Sequence, residues 1–284
     1  MGLLDNILLR QPSGLIYHYT SQTGLLGIVK NKCIWATNAH YQNDSKEFQH
    51  ALELSKGVIE TLRNNNPPTE EERLLRAMKQ TLSSIQQVNI FVSSFSEHND
   101  MLSQWRGYCP RGNGVSIGFD CAELKTIIGP QGFRLVPCVY ERSEHSQLVT
   151  ELIENTLNLF RGDLASSVNI KYALRNRSTE YMNYMFTLAP IIKHPTFLEE
   201  REWRAVSFPI AFDHPQVAYR EGTSMLTPYF VINLGVGGAS LPIEEVVVGP
   251  TPHMGLAMSA VSSFLGTHDI VFSVTPSKIP FRGW

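Results

Sequence analysis

Ten short stretches of strand character run along this chain, and two helical blocks interrupt them. The stretches are LIYHYT (15–20), CIWAT (33–37), VNIFVSSFS (88–96), VSIGFD (115–120), FRLVPCVY (133–140), EWRAVSF (202–208), QVAYRE (216–221), PYFVINL (228–234), EEVVVG (244–249) and IVFSV (270–274). Each combines β-branched or aromatic residues with turn residues at its borders. The helical blocks span about 44–86 and 144–190, where the apolar period lengthens to that of an amphipathic helix. Strands early and late, with helices between them, predict a single α+β domain over 1–284 that carries two helical insertions. The alternation is not regular enough for a doubly wound parallel sheet.

Charge and cysteine content narrow the function classes. With 24 basic and 26 acidic residues, the chain has no global footprint for non-specific nucleic-acid binding, although a local basic groove stays open. Cys33, Cys109, Cys121 and Cys138 show neither CxxC nor a zinc spacing, so they read as reduced, mostly buried thiols of a cytoplasmic protein. The opening MGLLDNILLRQPSG is broken by Asp5, Asn6 and Arg10 and does not read as a signal peptide. Asn6 fails the myristoylation pattern. No apolar run approaches the roughly 20 residues of a membrane span, and no membrane partner is expected.

Several catalytic motifs are absent. There is no P-loop, GVGGAS at 235–240 departs from the dinucleotide fingerprint, and neither HExxH nor GxSxG occurs. His40, Asp44 and Glu47 have the right types for metal ligands, but they also suit a capped helix start with solvated acids. A metal-dependent nuclease therefore ranks third among the readings, and no metal is expected.

Two constellations carry more. In LIYHYTS, the strand period puts Leu15, Tyr17 and Tyr19 on one face and Ile16, His18 and Thr20 on the other. Ser21 then suits the N-cap of a helix over SQTGLLGIVKNK, which packs through Leu25, Leu26, Ile28 and Val29. In FLEEREWR (197–204), a helix would make Glu200 and Arg204 an i,i+4 pair. The run WRAVSF continues more naturally as a strand, which would set Glu200, Glu202 and Arg204 side by side on one face. Between the two constellations stands SSFS, Ser93 to Ser96, at the end of an apolar strand.

Taken in order, LIYHYTS, YQNDSKEF, FVSSFSEHNDMLSQWRGY with GVSIGFD, FLEEREWRAV and SKIPFR resemble the bacterial family known as domain of unknown function 2971, from about Leu15 to Arg282. The order H-Y-T, serine-rich strand, E-x-E is also similar to the ADP-ribosyltransferase superfamily. That second resemblance implies a central split β-sheet or sandwich and NAD as substrate. It further implies transfer to a macromolecule, protein or nucleic acid, or NAD hydrolysis, in a toxin or phage-defence setting. Residue by residue, His18 would contact the ribose or phosphates with Thr20 beside it on the same face. Ser94, with Ser93 and Ser96 as neighbours, would shape the nicotinamide pocket. Glu202 would be the catalytic acid and Glu200 would handle the acceptor. His18 fits the histidine branch of that superfamily, whereas Ser-x-Ser and Glu-x-Glu fit its arginine branch.

The chemistry would need a carboxylate against an oxocarbenium-like sugar, which Glu202 would supply. Glu200, about 6 to 7 Å away along the same strand face, would orient or deprotonate the acceptor. Tyr17, Tyr19, Trp105 or Tyr108 would stack on a flat nicotinamide or base. Each residue also has a structural reading: His18 satisfied by backbone, Glu202 paired with Arg204, Trp105 and Tyr108 packed, and Asn43, Asp44 and Glu47 opening a helix. A non-catalytic nucleotide sensor using the same pocket is the alternative function. Its discriminating observation is whether His18 and Glu202 share one cleft.

Overall fold

The computed structural model describes residues 3–42, 45–85, 88–222, 224–235, 240–270 and 273–281, without the side chains of 3, 45–47 and 84. The chain opens with helix α1 (Leu3–Leu8), strand β1 (Ile16–Ser21), helix α2 (Gln22–Asn31) and strand β2 (Cys33–Asn38). The first helical block forms α3 (Ser45–Asn64) and α4 (Thr69–Ser84). Then come β3 (Phe91–Ser96), α5 (Leu102–Tyr108), β4 (Gly114–Phe119), α6 (Cys121–Ile128) and β5 (Phe133–Pro137). The second block forms α7 (Arg142–Ala165) and α8 (Ile170–Leu188). The remainder is β6 (Glu202–Ser207), β7 (Val217–Glu221), β8 (Leu226–Asn233), β9 (Ile243–Val248), α9 (Met254–Gly266) and β10 (Ser273–Pro276).

All ten strands join one sheet in the order β10-β9-β4-β1-β3-β2-β8-β7, with β6 lying along β3 and β5 along β6. Only β10 and β9 run parallel. Every other pair is antiparallel. This is a mixed fold with a large, mostly antiparallel sheet, with one helical block formed by α3 and α4 and the other by α7 and α8.

The sheet has apolar clusters on both faces. On one, Val92, Val136 and Val206 pack with Phe48, Leu52, Leu74, Leu148, Phe160 and Tyr181 of the helical blocks. On the other, Ile16, Ile34, Phe91, Phe95, Trp203 and Phe230 pack with α2, α6 and α9. We refer to these as the bundle face and the small-helix face. Burying both faces is what turns ten short strands, none stable alone, into a single sheet.

Two helices add to the sequence reading, and two of its expectations change. The polar segment EHNDMLSQWRGYCPRGNG contains α5, and CAELKTII after β4 forms α6. Leu26, expected on the packing side of α2, is 39% exposed. FLEEREWR is not one strand: Pro195–Glu200 is a 3-10 turn, Arg201 takes a left-handed conformation (φ 42), and the strand begins at Glu202. Leu198 and Phe208 are exposed at its two ends.

Ser21 caps α2 by accepting from the Gly24 N–H at 3.1 Å, as its position predicts. Gly24 is there because the β1-to-α2 turn is tight: a Cβ would stand 2.0 Å from Thr20 Oγ1 and 3.1 Å from Thr20 Cγ2. One rotation of Thr20 puts its methyl in the hydroxyl's place and the other puts the hydrogen there, but Thr20 Cβ itself still stands 3.1 Å from the added carbon. Gly24→Ala is therefore expected to cost about 1 to 3 kcal/mol by overpacking. Urea unfolding with an unshifted midpoint would show that the turn relaxes freely.

Candidate functional site

The site follows from how β1 and β2 meet β3. β1 touches β3 at Tyr17 opposite Ser96, and β2 touches it at Thr37 opposite Val92 and Asn38 opposite Phe91. Between these contacts the two strands diverge and the sheet splits. In an antiparallel strand a residue's N–H and C=O point to the same side, and the sides alternate along the chain. Val92 and Ser96 use theirs toward β2 and β1, so Ser94 aims its pair into the gap. His18 Nδ1 lies 2.9 Å from that Ser94 carbonyl oxygen.

This contact fixes the histidine. A carbonyl only accepts, so Nδ1 carries the hydrogen and Nε2 presents its lone pair. Burial pushes the His18 pKa below the ordinary histidine value, outweighing the upward pull of the Ser94 carbonyl, so the ring is neutral at pH 7. The ring also sits 5.8 Å from that of Phe95. Among the described residues nothing else bonds the imidazole, and Nε2 is available as an acceptor.

The split opens into a cleft of about 610 Å³, a size suited to a small organic ligand. His18, Ser93 and Ser94 form its floor, Thr23 and Gly24 of α2 one side, and Trp35, Tyr41, Tyr108 and Arg220 its mouth. Ser93 Oγ is buried and has no hydrogen-bond partner among the described residues, a costly state unless a ligand supplies one. Arg220 donates to Thr37 Oγ1 at 3.0 Å and lies 5.9 Å over the Trp35 ring. No carboxylate is among the described residues that line the cleft.

The far wall is set by hydrogen bonds. Asn38 accepts from the His40 N–H at 3.0 Å and donates to Asn89 Oδ1 at 2.9 Å, holding the 3-10 turn Ala39–Tyr41 against the sheet. Gln42 donates to the Val92 carbonyl at 3.2 Å. On the near side, Tyr19 donates to the His98 carbonyl at 2.7 Å and accepts from the Met101 N–H at 3.0 Å. Its ring meets Trp105 edge-on at 4.7 Å, and burial pushes its hydroxyl pKa up.

The cleft thus gathers His18, Tyr19, Thr20, Ser94 and Tyr108 of the expected site residues. It does not gather Ser96, Trp105, Glu200 or Glu202. Ser96 is buried and donates to the Glu200 carbonyl at 2.7 Å. Trp105 packs on Tyr19 and donates Nε1 to Asp100 Oδ1 at 2.7 Å, which is its structural role.

Glu202 is the main correction. It lies opposite Ser96, which lies opposite Tyr17, and residues directly opposite in antiparallel pairs share a face. Tyr17 and Glu202 therefore share the bundle face, while His18, one residue on, sits on the small-helix face with Ile16. The Glu202 carboxylate is 4% exposed and surrounded by cations. Arg204 Nε donates to Oε1 at 2.8 Å, and Lys193 donates to Oε2. The backbone N–H of Glu202 donates to Tyr140 Oη at 2.8 Å.

Lys193 also donates to Glu200 Oε2 at 2.5 Å, so one buried ammonium joins the two carboxylates that the sequence places near each other. Burial alone would raise the Glu202 pKa, but Arg204 and Lys193 overcome it and hold the group at about 2. Burial likewise pushes Lys193 down, and the Glu202 charge more than reverses it. These groups form a compensated ion cluster under the helical blocks.

Trp35, Tyr41, Gln42 and Arg220 escape the sequence reading of the site. Trp35 had a signal: it alternates with Ile34 and Ala36, which are buried, so a 44% exposed tryptophan on the opposite face is legible from the strand period. Arg220 had none, because its strand reaches the cleft only through β8. Lys193 had one as well, a lone cation in the apolar run APIIKHP that would demand a carboxylate if buried.

Asn43, Asp44, the Glu47 side chain and Arg282 lie outside the described residues. Among the described residues no group of three or more histidine, cysteine, aspartate or glutamate residues is placed to hold a metal ion. No described helix is long and apolar enough to cross a membrane.

Fold and site together define a mixed protein with a large, mostly antiparallel sheet that is split over a cleft with no carboxylate among its described lining residues. Residues 104–205, from α5 into β6, match the family described as "Protein of unknown function (DUF2971)". The family resemblance carried by the motifs is thereby supported over that segment, a narrower span than Leu15 to Arg282. No curated protein and no solved structure matches the chain.

Proposed function

We propose that the split cleft is a nucleotide-binding site whose ligand is NAD or a related ribonucleotide. One observation carries the reading: Ser94 aims its backbone N–H and C=O into the gap between β1 and β2, and His18 is clamped on that carbonyl with Nε2 left to accept. A ribose hydroxyl donates to Nε2, and the Ser94 N–H and Ser93 hydroxyl suit a carboxamide or ring acceptor. The exposed Trp35 and Tyr41 offer faces to a base, and Arg220 offers a cation to a phosphate. The split sheet with a first-strand histidine is in keeping with an ADP-ribosyltransferase-like fold, which supports NAD as the first ligand to try.

Binding without turnover is the better-supported form of this reading. Glycosidic cleavage needs a carboxylate beside the sugar. The lining among the described residues offers none, and Glu202 is committed to Lys193 and Arg204 on the other face.

The test is a thermal-shift and calorimetric series with NAD, ADP-ribose and AMP, alongside an assay for released nicotinamide. Saturable binding is expected to stabilise the protein by about 2.7 kcal/mol at a hundred times Kd, with no nicotinamide released. If none of the three shifts the melt, the reading is wrong. Nicotinamide release that disappears in a folded Glu202→Gln variant would replace binding with transfer.

A further inference from the structure

We propose that the aromatic and cationic ledge at the mouth of the cleft is a docking surface for single-stranded nucleic acid, with a base stacked at Trp35 and its phosphate at Arg220. The inference rests on the nucleotide reading of the cleft and extends it from one nucleotide to the next along a strand. Trp35, Tyr41 and Tyr108 are 44%, 46% and 47% exposed, and all three line the same opening. Other aromatics of the chain are exposed singly, Tyr172 and Phe212 among them, whereas these gather around one cleft, the arrangement of a stacking platform.

The ledge is built on the sheet. Trp35 and Tyr229 stand on neighbouring strands, with ring centroids 4.3 Å apart at 30°. Arg220, on the next strand, reaches across to Thr37 and over Trp35. β7 is the outermost strand of the sheet, so the ledge ends at an open edge from which a polynucleotide can continue.

Charge favours a polyanion. Arg220 is the only charged residue among the described residues lining the cleft. Lys30, Lys32 and Arg106, all exposed, adjoin the lining residues Asn31, Cys33 and Gly107 in the chain. Glu221, the acid next to Arg220, falls on the opposite face of β7 by the strand period. A single cationic contact at the mouth is compatible with a chain whose net charge is −2. A single strand is favoured over a duplex because only unpaired bases present a free face to Trp35.

The experiment is fluorescence anisotropy of the full chain with a labelled single-stranded oligonucleotide and with its duplex, with NAD binding measured in parallel. The single strand is expected to bind at least about tenfold more tightly than the duplex. Trp35→Ala should weaken it roughly tenfold and Trp35→Phe should retain most of the affinity. Arg220→Ala should flatten the slope of log K against log salt by about 0.7, the contribution of one phosphate contact to a single strand.

Absent oligonucleotide binding, equal binding of the duplex, or an unaffected Trp35→Ala variant would each overturn the ledge assignment. If NAD binds and the oligonucleotide does not, only this inference falls. In that case, loss of NAD affinity in Trp35→Ala would assign the ledge to the second ring of a dinucleotide. If neither ligand binds, the cleft reading falls with it.

Discussion

Glu202→Gln is expected to lower stability by about 3 to 5 kcal/mol, because it leaves Lys193 and Arg204 buried without their shared counter-charge. At roughly 2 to 4 °C per kcal/mol, the melting temperature drops by about 10 °C. The loss comes from a buried cluster in which Lys193 and Arg204 are left with the Glu200 carboxylate alone, so it differs from the loss expected of a catalytic acid, which would remove activity and leave the melt alone. Lys193→Met should also destabilise, and combining it with Glu202→Gln should cost less than the sum of the two. A melt that moves by less than about 2 °C in Glu202→Gln would show that the cluster is not a coupled unit.

The same cluster sets an acid limb. Glu202 is held at about 2 in the folded chain, against an ordinary glutamate value of about 4.3. A carboxylate depressed on folding contributes its stability above the ordinary value. That contribution, about 3 kcal/mol, is lost as pH falls from about 4.3 toward 2. Stability against pH should therefore fall steeply in that window for the wild type and more gently for Glu202→Gln, a difference that denaturant titrations at several pH values would measure.

His18→Ala carries the second large effect, this time on binding. It removes the acceptor offered at Nε2 and leaves the Ser94 carbonyl without its ring partner, so nucleotide affinity should fall roughly tenfold to a hundredfold. His18→Gln keeps a donor for the carbonyl and an acceptor for the ligand, and part of the affinity should return. Because burial lowers the His18 pKa, the ring stays neutral at pH 7 and above, and affinity should be flat there.

On acidification the sign is set by the unfolded chain, where histidine takes up its proton near pH 6.5. Between that value and the lower folded one, the unfolded state binds more protons, so stability declines as pH falls through this range. Affinity that rises on acidification would mean that His18 binds as a cation and would reverse the assigned tautomer.

The cleft and the ion cluster meet at a single strand. β3 shows Ser94 to the gap through its backbone and stands Ser96 beside Glu202 on the bundle face. A change at Glu202 therefore reaches the cleft only through the strand between them. Weakened nucleotide binding in Glu202→Gln should track the loss of stability, not any change in the chemistry of the ligand.

Much of this was legible in the residues. The period of IYHYT already separates His18 and Thr20 from Tyr17 and Tyr19. Ser21 marks the start of α2, and the two helical blocks announce themselves by their apolar spacing. These are local properties, fixed by the geometry of a strand or a helix and by the groups that cap it. Even the pairing of Glu202 with Arg204 follows from two residues on one strand face.

What the sequence by itself did not determine is which strand lies beside which. Register is non-local: Tyr17 opposite Ser96 and Ser96 opposite Glu202 put the histidine and the glutamate on opposite faces, and no spacing along the chain encodes that relation. The left-handed turn at Arg201 likewise separated Glu200 from the strand that its neighbours form. Lys193 and Arg220 reached their partners only through packing, one beneath the helical blocks and the other across β8. The residues supplied the donors, acceptors and charges, and the order of the strands decided which of them face a ligand and which face one another.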